Sequence, residues 1–264
     1  MAISPDAAPE LVHVERRSGW HIVQMMRPQK RNAMNRQGRK ELLKAFEDAA
    51  EDGARVVVLT GSEGSFCSGI DLRERNEELA AGMAADPRSD WMEVLMAIRN
   101  HPAVFIAAVN GLAMGGGSAL INVCDLGLSC EEAWISSPEM SFGAFSHFSG
   151  PASMYQVLPK HAAWLLYTTE RIDGRTAAAW GFVNECVDAK DLMTRADAIA
   201  SQIARFDAAA LTETKRALDA TPGATRDWRL AFEAGMGTNA RIREKSANAQ
   251  LGPERYLSSD TMKR

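Results

Sequence analysis

The sequence has little cysteine and no surplus of positive charge. Four cysteines, Cys67, Cys124, Cys130 and Cys186, are scattered through 264 residues with no C-x-x-C pair and no histidine cluster beside them. That spacing suggests neither a zinc site nor a disulfide framework, and a reducing cytoplasm is the expected compartment. The 30 Lys and Arg against 34 Asp and Glu leave a formal charge of -4. Binding to a phosphate backbone draws on excess positive charge, so a nucleic-acid partner is not expected, and any phosphorylated ligand must be held by a local cluster. Residues 1–10 lack the basic and apolar regions of a signal peptide and read as a short disordered start. No charge occurs between His101 and Asp125, a window long enough to suggest a membrane span. Its interior glycines and asparagines argue instead for a buried strand, a turn and a buried helix, and no membrane partner is expected. With 46% apolar and 24% charged residues, the chain can bury a sizeable core, which excludes a disordered or fibrous protein.

What is present reads as α/β with a largely parallel sheet. Val12 and Val14 alternate with polar neighbours, Ser18-Gly19 supplies a turn, and residues 20–26 return, as in a β-hairpin. Residues 36–50 carry a helical stripe of Leu42, Phe46 and Ala49 behind Asn35 as N-cap, ended by Gly53. Residues 56–59 and 103–109 read as buried strands, with helix between them interrupted near Gly82 and Pro87. Further strands are expected at 126–130 and 134–137, then helix after helix from Pro151 onward, including 162–169, 176–180, 192–206, 209–220 and 226–246.

Three segments carry candidate chemistry. In Gly111-Leu112-Ala113-Met114-Gly115-Gly116-Gly117 a strand gives way to a helix, so free N–H groups can meet an anion or oxyanion; neither Walker nor dinucleotide spacing is present. Close packing of two elements would equally account for the glycines. The turn Gly64-Ser65-Phe66-Cys67-Ser68-Gly69-Ile70-Asp71 follows the neighbouring strand, so its N–H groups could converge on the same oxygen; Asp71 reads as a helix N-cap. Glu139 follows Pro138 among apolar residues, where desolvation would favour a base.

Together with Arg27-Pro28-Gln29-Lys30-Arg31-Asn32-Ala33-Met34-Asn35, Ala108-Val109-Asn110-Gly111, Cys124-Asp125 and Gly181-Phe182-Val183-Asn184-Glu185, these segments resemble the enoyl-CoA hydratase/isomerase (crotonase) superfamily. The resemblance implies a spiral core of β-β-α turns over residues 11–195 and a C-terminal helical region, 196–264, that packs across subunits into a homotrimer or homohexamer. It implies an acyl-CoA thioester partner, with coenzyme A as part of the substrate and no separate cofactor or metal. Backbone N–H groups of Ser68 and Gly116 would form the oxyanion hole. Arg27, Lys30, Arg31, Phe66 and Ile70 would meet the CoA moiety.

The sequence departs from the hydratase pattern at two places. Where hydratases carry a glutamate one helical turn beyond the middle glycine, this chain has Ala119, so Glu139 is the one retained catalytic carboxylate. Residue 119 is expected to face the thioester rather than the core. A 1,3-proton shift needs one base, which makes 3-enoyl-CoA to 2-enoyl-CoA isomerisation the best single reaction. Hydratase, lyase, decarboxylase or C–C hydrolase chemistry through the same enolate, and a non-catalytic CoA-ester-binding protein, are the alternatives. The second departure is His147, at a position resembling that of the catalytic aspartate of chlorobenzoyl-CoA dehalogenases, which makes it a candidate acid, base or donor. Packing beneath the helical layer is its structural alternative. Met83, Met92, Met96, Phe142, Phe145 and Phe148 are candidate linings of an apolar tunnel, or plain core.

Overall fold

The computed structural model describes residues 10–82, 90–224, 241–242 and 244–246, with the side chains of 79, 90, 142 and 221–224 left aside. Met83 therefore lies outside it, as do all but Glu10 of the expected disordered start and most of the helix expected at 226–246.

The hairpin forms as the alternation implies, β1 (Val12–Arg17) pairing antiparallel with β2 (Trp20–Met25). Helix α1 (Arg36–Glu51) begins where the Asn35 side chain accepts from the Gly38 N–H at 2.9 Å, and it buries Leu42, Phe46 and Ala49. The next strands are β3 (Val56–Gly61), β5 (Val104–Val109) and β7 (Leu126–Cys130), added in parallel to β2 in that order. β3 is buried along its whole length and β5 at all but its first residue. Each such Val, Ile or Leu side chain removed from water contributes about 1.5–3 kcal/mol, so these strands anchor the sheet.

After each of these strands the chain turns into a short strand of a second sheet. β4 (Ser65–Cys67) follows β3, β6 (Leu112–Met114) follows β5, and β8 (Trp134–Ser136) follows β7. With β9 (Ile172–Asp173) and β10 (Glu185–Val187), the result is one six-stranded sheet, β1-β2-β3-β5-β7-β10, and one four-stranded sheet, β4-β6-β8-β9, wound as a spiral. Helices α2 (Leu72–Ala80), α3 (Asp90–Asn100) and α4 (Gly116–Val123) close the first two turns.

The second half is less purely helical than its composition suggests. Helices α5 (Ser149–Gln156), α6 (Pro159–Thr168) and α7 (Gly174–Ala179) are interleaved with β9 (Ile172–Asp173) and β10 (Glu185–Val187), neither of which the periodicity reveals. Only three residues long, β10 is led into the sheet by Asn184. Its N–H donates to the Gly127 carbonyl at 2.7 Å, and its Oδ1 accepts from the Gly127 N–H at 2.8 Å. Helix α8 (Leu192–Ile203) packs on β3, β5 and β7 with Leu192, Ala196 and Ala200 buried, so the boundary expected at residue 195 falls inside a helix of the core. α9 (Ala208–Ala224) is fastened to the core by Lys215, whose Nζ donates to the carbonyls of Ile98 and Ala103 and meets Asp125 at 2.9 Å. Among the described residues no helix is long and apolar enough to cross a membrane.

Candidate functional site

β3 and β5 are parallel neighbours, Val56 opposite Val104, so the loops after them leave the sheet side by side. They meet backbone to backbone. A Cβ on Gly117 would stand 1.9 Å from the Cys67 carbonyl oxygen, so no side chain fits there. A Cβ on Gly69 would stand 2.9 Å from the Gly116 nitrogen, so glycine at 69, at φ +90°, keeps that N–H uncovered. The glycines of the run differ: Gly117 serves close packing, whereas Gly116 opens α4 with an N–H that has no intrahelical acceptor.

The partner donor is differently placed. The Ser68 N–H donates to the Arg31 carbonyl at 3.0 Å, and the Ser68 hydroxyl to the Lys30 carbonyl at 3.2 Å. Its expected role as an oxyanion donor thus meets a competing acceptor within the chain. Arg31 supplies that acceptor from a left-handed conformation, φ 51°, closing the short 3-10 turn Pro28–Lys30.

Glu139 sits in a second 3-10 turn, Pro138–Phe142, and is half-buried. Its carboxylate reaches the glycine corner, because a Cβ on Gly115 would lie 2.6 Å from Oε1. The other oxygen, Oε2, accepts from the Ser146 hydroxyl at 2.6 Å. Ser146 is buried, whereas His147 beside it is exposed and touches Phe148, ring centroids 4.2 Å apart. The exposure of His147 contradicts the alternative that it packs beneath the helical layer. The inward side chain at this turn is the serine before it, whose carbonyl also starts α5 by accepting from the Gly150 N–H at 2.7 Å.

Around the corner the chemistry is apolar. Ala119 is fully buried within the hydrophobic core, contrary to the expectation that it faces the thioester rather than the core. Phe66 is fully buried too and belongs to the core rather than to a ligand surface. Burial pushes the Cys67 thiol up to about 12, which removes it as a nucleophile. Trp91, near the start of α3, lays its indole on Gly116: a Cβ there would lie 2.8 Å from Nε1.

The basic loop divides into fixed and free members. Arg27 Nη1 donates to Asp71 Oδ2 at 2.6 Å and to the Ala33 carbonyl at 2.9 Å, so its guanidinium is committed inside the fold rather than offered to a ligand. Asp71 also caps α2, accepting from the N–H groups of Arg73 and Glu74. Burial pulls its carboxyl up, but the bonds from Arg27 and these amides outweigh it and hold it below the usual carboxylate range. Lys30 and Arg31 are exposed and form no ion pair among the described residues. Ile70 is half-buried against the core and bridges to Met34.

A cavity of about 320 Å³ opens beside Ser146, lined by Met140, Ala144, Phe145, Met154, Leu166 and Tyr167. Of the candidate tunnel residues only Phe145 lines it; Met92 and Met96 are exposed on α3, Phe148 packs against the core, and the Phe142 side chain lies outside the description. Ser146 and Trp91 are the two site residues that sequence reasoning passed over. A buried serine seven residues after Glu139 has no spacing signature. A tryptophan opening a helix reads as core.

Known proteins bear on this arrangement in three ways. The family model described as enoyl-CoA hydratase/isomerase matches residues 15–259. The Mycobacterium tuberculosis protein named "Probable enoyl-CoA hydratase echA8" is 32% identical over 213 residues, 80% of this chain and 81% of the relative. Among solved structures, human enoyl coenzyme A hydratase domain-containing protein 3 superimposes with a TM-score of 0.86 at 25% identity, covering 94% of this chain and 97% of that one. An enoyl-CoA hydratase from Mycobacterium smegmatis does so with a TM-score of 0.82 at 29% identity, covering 94% and 96%. The two-sheet spiral, the meeting of the two loops at Gly69 and Gly116, and a match over nearly the whole sequence lead to one conclusion: this chain belongs to the enoyl-CoA hydratase/isomerase family and has the crotonase fold.

Proposed function

We propose that this protein moves a proton on an acyl-CoA thioester with Glu139 as its single carboxylate base, isomerising a 3-enoyl-CoA to a 2-enoyl-CoA. One observation carries the reading: Glu139 Oε1 lies at the Gly115–Gly116 corner, while one helical turn on, at residue 119, there is a buried methyl. A base at the opening of a helix can take the C2 proton as the thioester oxygen gains negative charge beside the Gly116 N–H, and return it at C4. The bond from Ser146 to Oε2 fixes the carboxylate's orientation and leaves Oε1 for the proton. Lys30 and Arg31, exposed and without an ion pair among the described residues, are the cations that would meet the phosphates of CoA. The cavity beside Ser146 suits an apolar acyl tail, and no cofactor beyond the CoA of the substrate is required.

Oligomerisation belongs to the same proposal. Met154, Tyr155, Leu158, Trp164 and Tyr167 expose large apolar surface on α5 and α6 and the turn between them, which fits burial against other copies in a homotrimer or homohexamer. α-Proton exchange tests the chemistry without assuming the acyl group. Incubated with the protein in D2O, butyryl-CoA should gain deuterium at C2 by NMR; binding of the ester with no exchange above the buffer rate would rule out the enolate.

A further inference from the structure

The chain between Glu139 and Ser146 is fastened to Glu139 on both sides of Phe145. The Ala144 N–H donates to the Glu139 carbonyl at 3.0 Å, and the Ser146 hydroxyl to the Glu139 carboxylate at 2.6 Å. Phe145 is held between these anchors, yet its side chain is exposed. The ring rests on α5. A Cβ on Gly150 would stand 2.9 Å from Phe145 Cζ, 3.2 Å from its Cε2 and 3.6 Å from Leu166 Cδ2. Gly150 is a buried residue of α5 without a left-handed φ, so the backbone itself makes no demand for glycine there. Glycine inside a helix is less favourable than alanine. What keeps a methyl out is the ring.

The same ring lines the cavity of about 320 Å³, with Met140, Ala162, Leu166, Met154 and Tyr167 around it. Ser146 joins this space to Glu139, because it both lines the cavity and bonds to Oε2. At water's liquid share of about 30 Å³ per heavy atom, the cavity has room for at most roughly ten carbons. Apart from Ser146 and the tyrosine hydroxyl its lining side chains are apolar. Such a wall selects by length and bulk rather than by hydrogen bonding.

We propose that this cavity takes the distal carbons of a medium-chain acyl group, from C5 outward, and that Phe145, seated on Gly150, sets the longest chain admitted. The proposal rests on the acyl-CoA reading and deepens it by naming the substrate class. Glu139 works between C2 and C4, so the tail passes Ser146 as it leaves the base. Each methylene buried beyond that point improves affinity about fourfold. The gain ends where the chain meets the phenyl ring, whose position is fixed by its two anchored neighbours and by the glycine beneath it.

The test measures kcat/KM for α-proton exchange in D2O with the intact protein and even-numbered saturated acyl-CoAs from butyryl to tetradecanoyl. In the wild type it should rise about 10²- to 10³-fold from butyryl to decanoyl and level off by dodecanoyl. Phe145→Ala should move the levelling point about two carbons longer. Gly150→Ala puts a methyl in the ring's seat and drives the ring into the cavity, so the decanoyl-to-butyryl ratio should fall about tenfold. With Phe145→Ala already present, the same methyl has free space, and the ratio should then change less than twofold. Equal effects of Gly150→Ala with and without the ring would overturn the role of Phe145. So would a changed assembly mass for Phe145→Ala with an unchanged ratio, which would give the cavity to another copy of the chain. Wild-type exchange of butyryl- and decanoyl-CoA at the same kcat/KM would overturn the chain-length proposal and leave the enolate reading standing. No exchange with any ester of the series would overturn both.

Discussion

The two flanks of the glycine corner are built from opposite materials. On the Gly115 side stand a carboxylate and a hydroxyl, Glu139 and Ser146, joined by a 2.6 Å hydrogen bond. On the Gly116 side stand a fully buried methyl, Ala119, and an indole edge, Trp91. The difference shows what the shared fold leaves to individual side chains. The loops that bring Gly69 against Gly116 are dictated by backbone contacts; on the proposed reading they would serve any enolate, and the number of carboxylates at the corner would decide whether a proton is merely moved or a water is also held.

The sharpest way to break the comparison is to neutralise the polar flank. Glu139→Gln keeps shape and removes the base, so kcat should fall ~10² to 10⁴-fold while CoA-ester affinity measured by calorimetry stays near wild type. A variant turning over at the parental rate would remove Glu139 from the mechanism. The converse change puts a carboxylate on the apolar flank. Ala119→Glu would bury a charge within the core, and thermal or denaturant unfolding should show a loss of about 3–5 kcal/mol; a variant as stable as wild type would mean that space and partners exist there. Ser146→Ala removes only the orienting bond to Oε2. Steady-state kinetics should show kcat down about tenfold, the worth of roughly 1.4 kcal/mol, with KM little changed.

The smallest effects concern the basic loop, where Arg27 and its neighbours differ in the same manner. Asp71 is held below its ordinary value of 3.8, chiefly against burial and by its bond from Arg27. A carboxyl lowered in the folded state contributes fully above its unfolded value and loses that contribution as pH falls through the folded one. Arg27→Met should therefore flatten the decline of stability below about pH 4 and leave CoA affinity at neutral pH within twofold. Lys30→Ala or Arg31→Ala should do the reverse, weakening CoA a few-fold at low salt with no change in the acid limb. Equal effects from all three would mean the division between fixed and free cations is mistaken.

How far the sequence reveals this molecule follows from which forces are local. The hairpin, α1 with its Asn35 cap, the buried strands β3, β5 and β7 and the meeting of two loops are legible because periodicity, capping and β-branched runs state them directly. β9, β10 and β6 are two or three residues long, too short for a period, and their pairing is decided by distant partners such as Gly127 facing Asn184. At the site, Glu139, Gly116 and Ala119 are singled out by the resemblance to the family, not by spacing or periodicity. Which side chains turn inward is not legible in either: Ser146 is buried and His147 exposed because the turn before α5 points one toward Glu139 and the other to solvent. Arg27 reads as a ligand cation until Asp71, forty-four positions away, is seen against it.

The central claim is that one carboxylate at the corner makes this an isomerase rather than a hydratase. Its most direct test is the ratio of two activities of the purified wild-type protein, 3-hexenoyl-CoA isomerisation and crotonyl-CoA hydration, measured as kcat/KM under one set of conditions. Isomerisation should exceed hydration by about 10² or more, the share a second general acid or base typically supplies. Hydration equal to or faster than isomerisation would contradict the single-carboxylate reading.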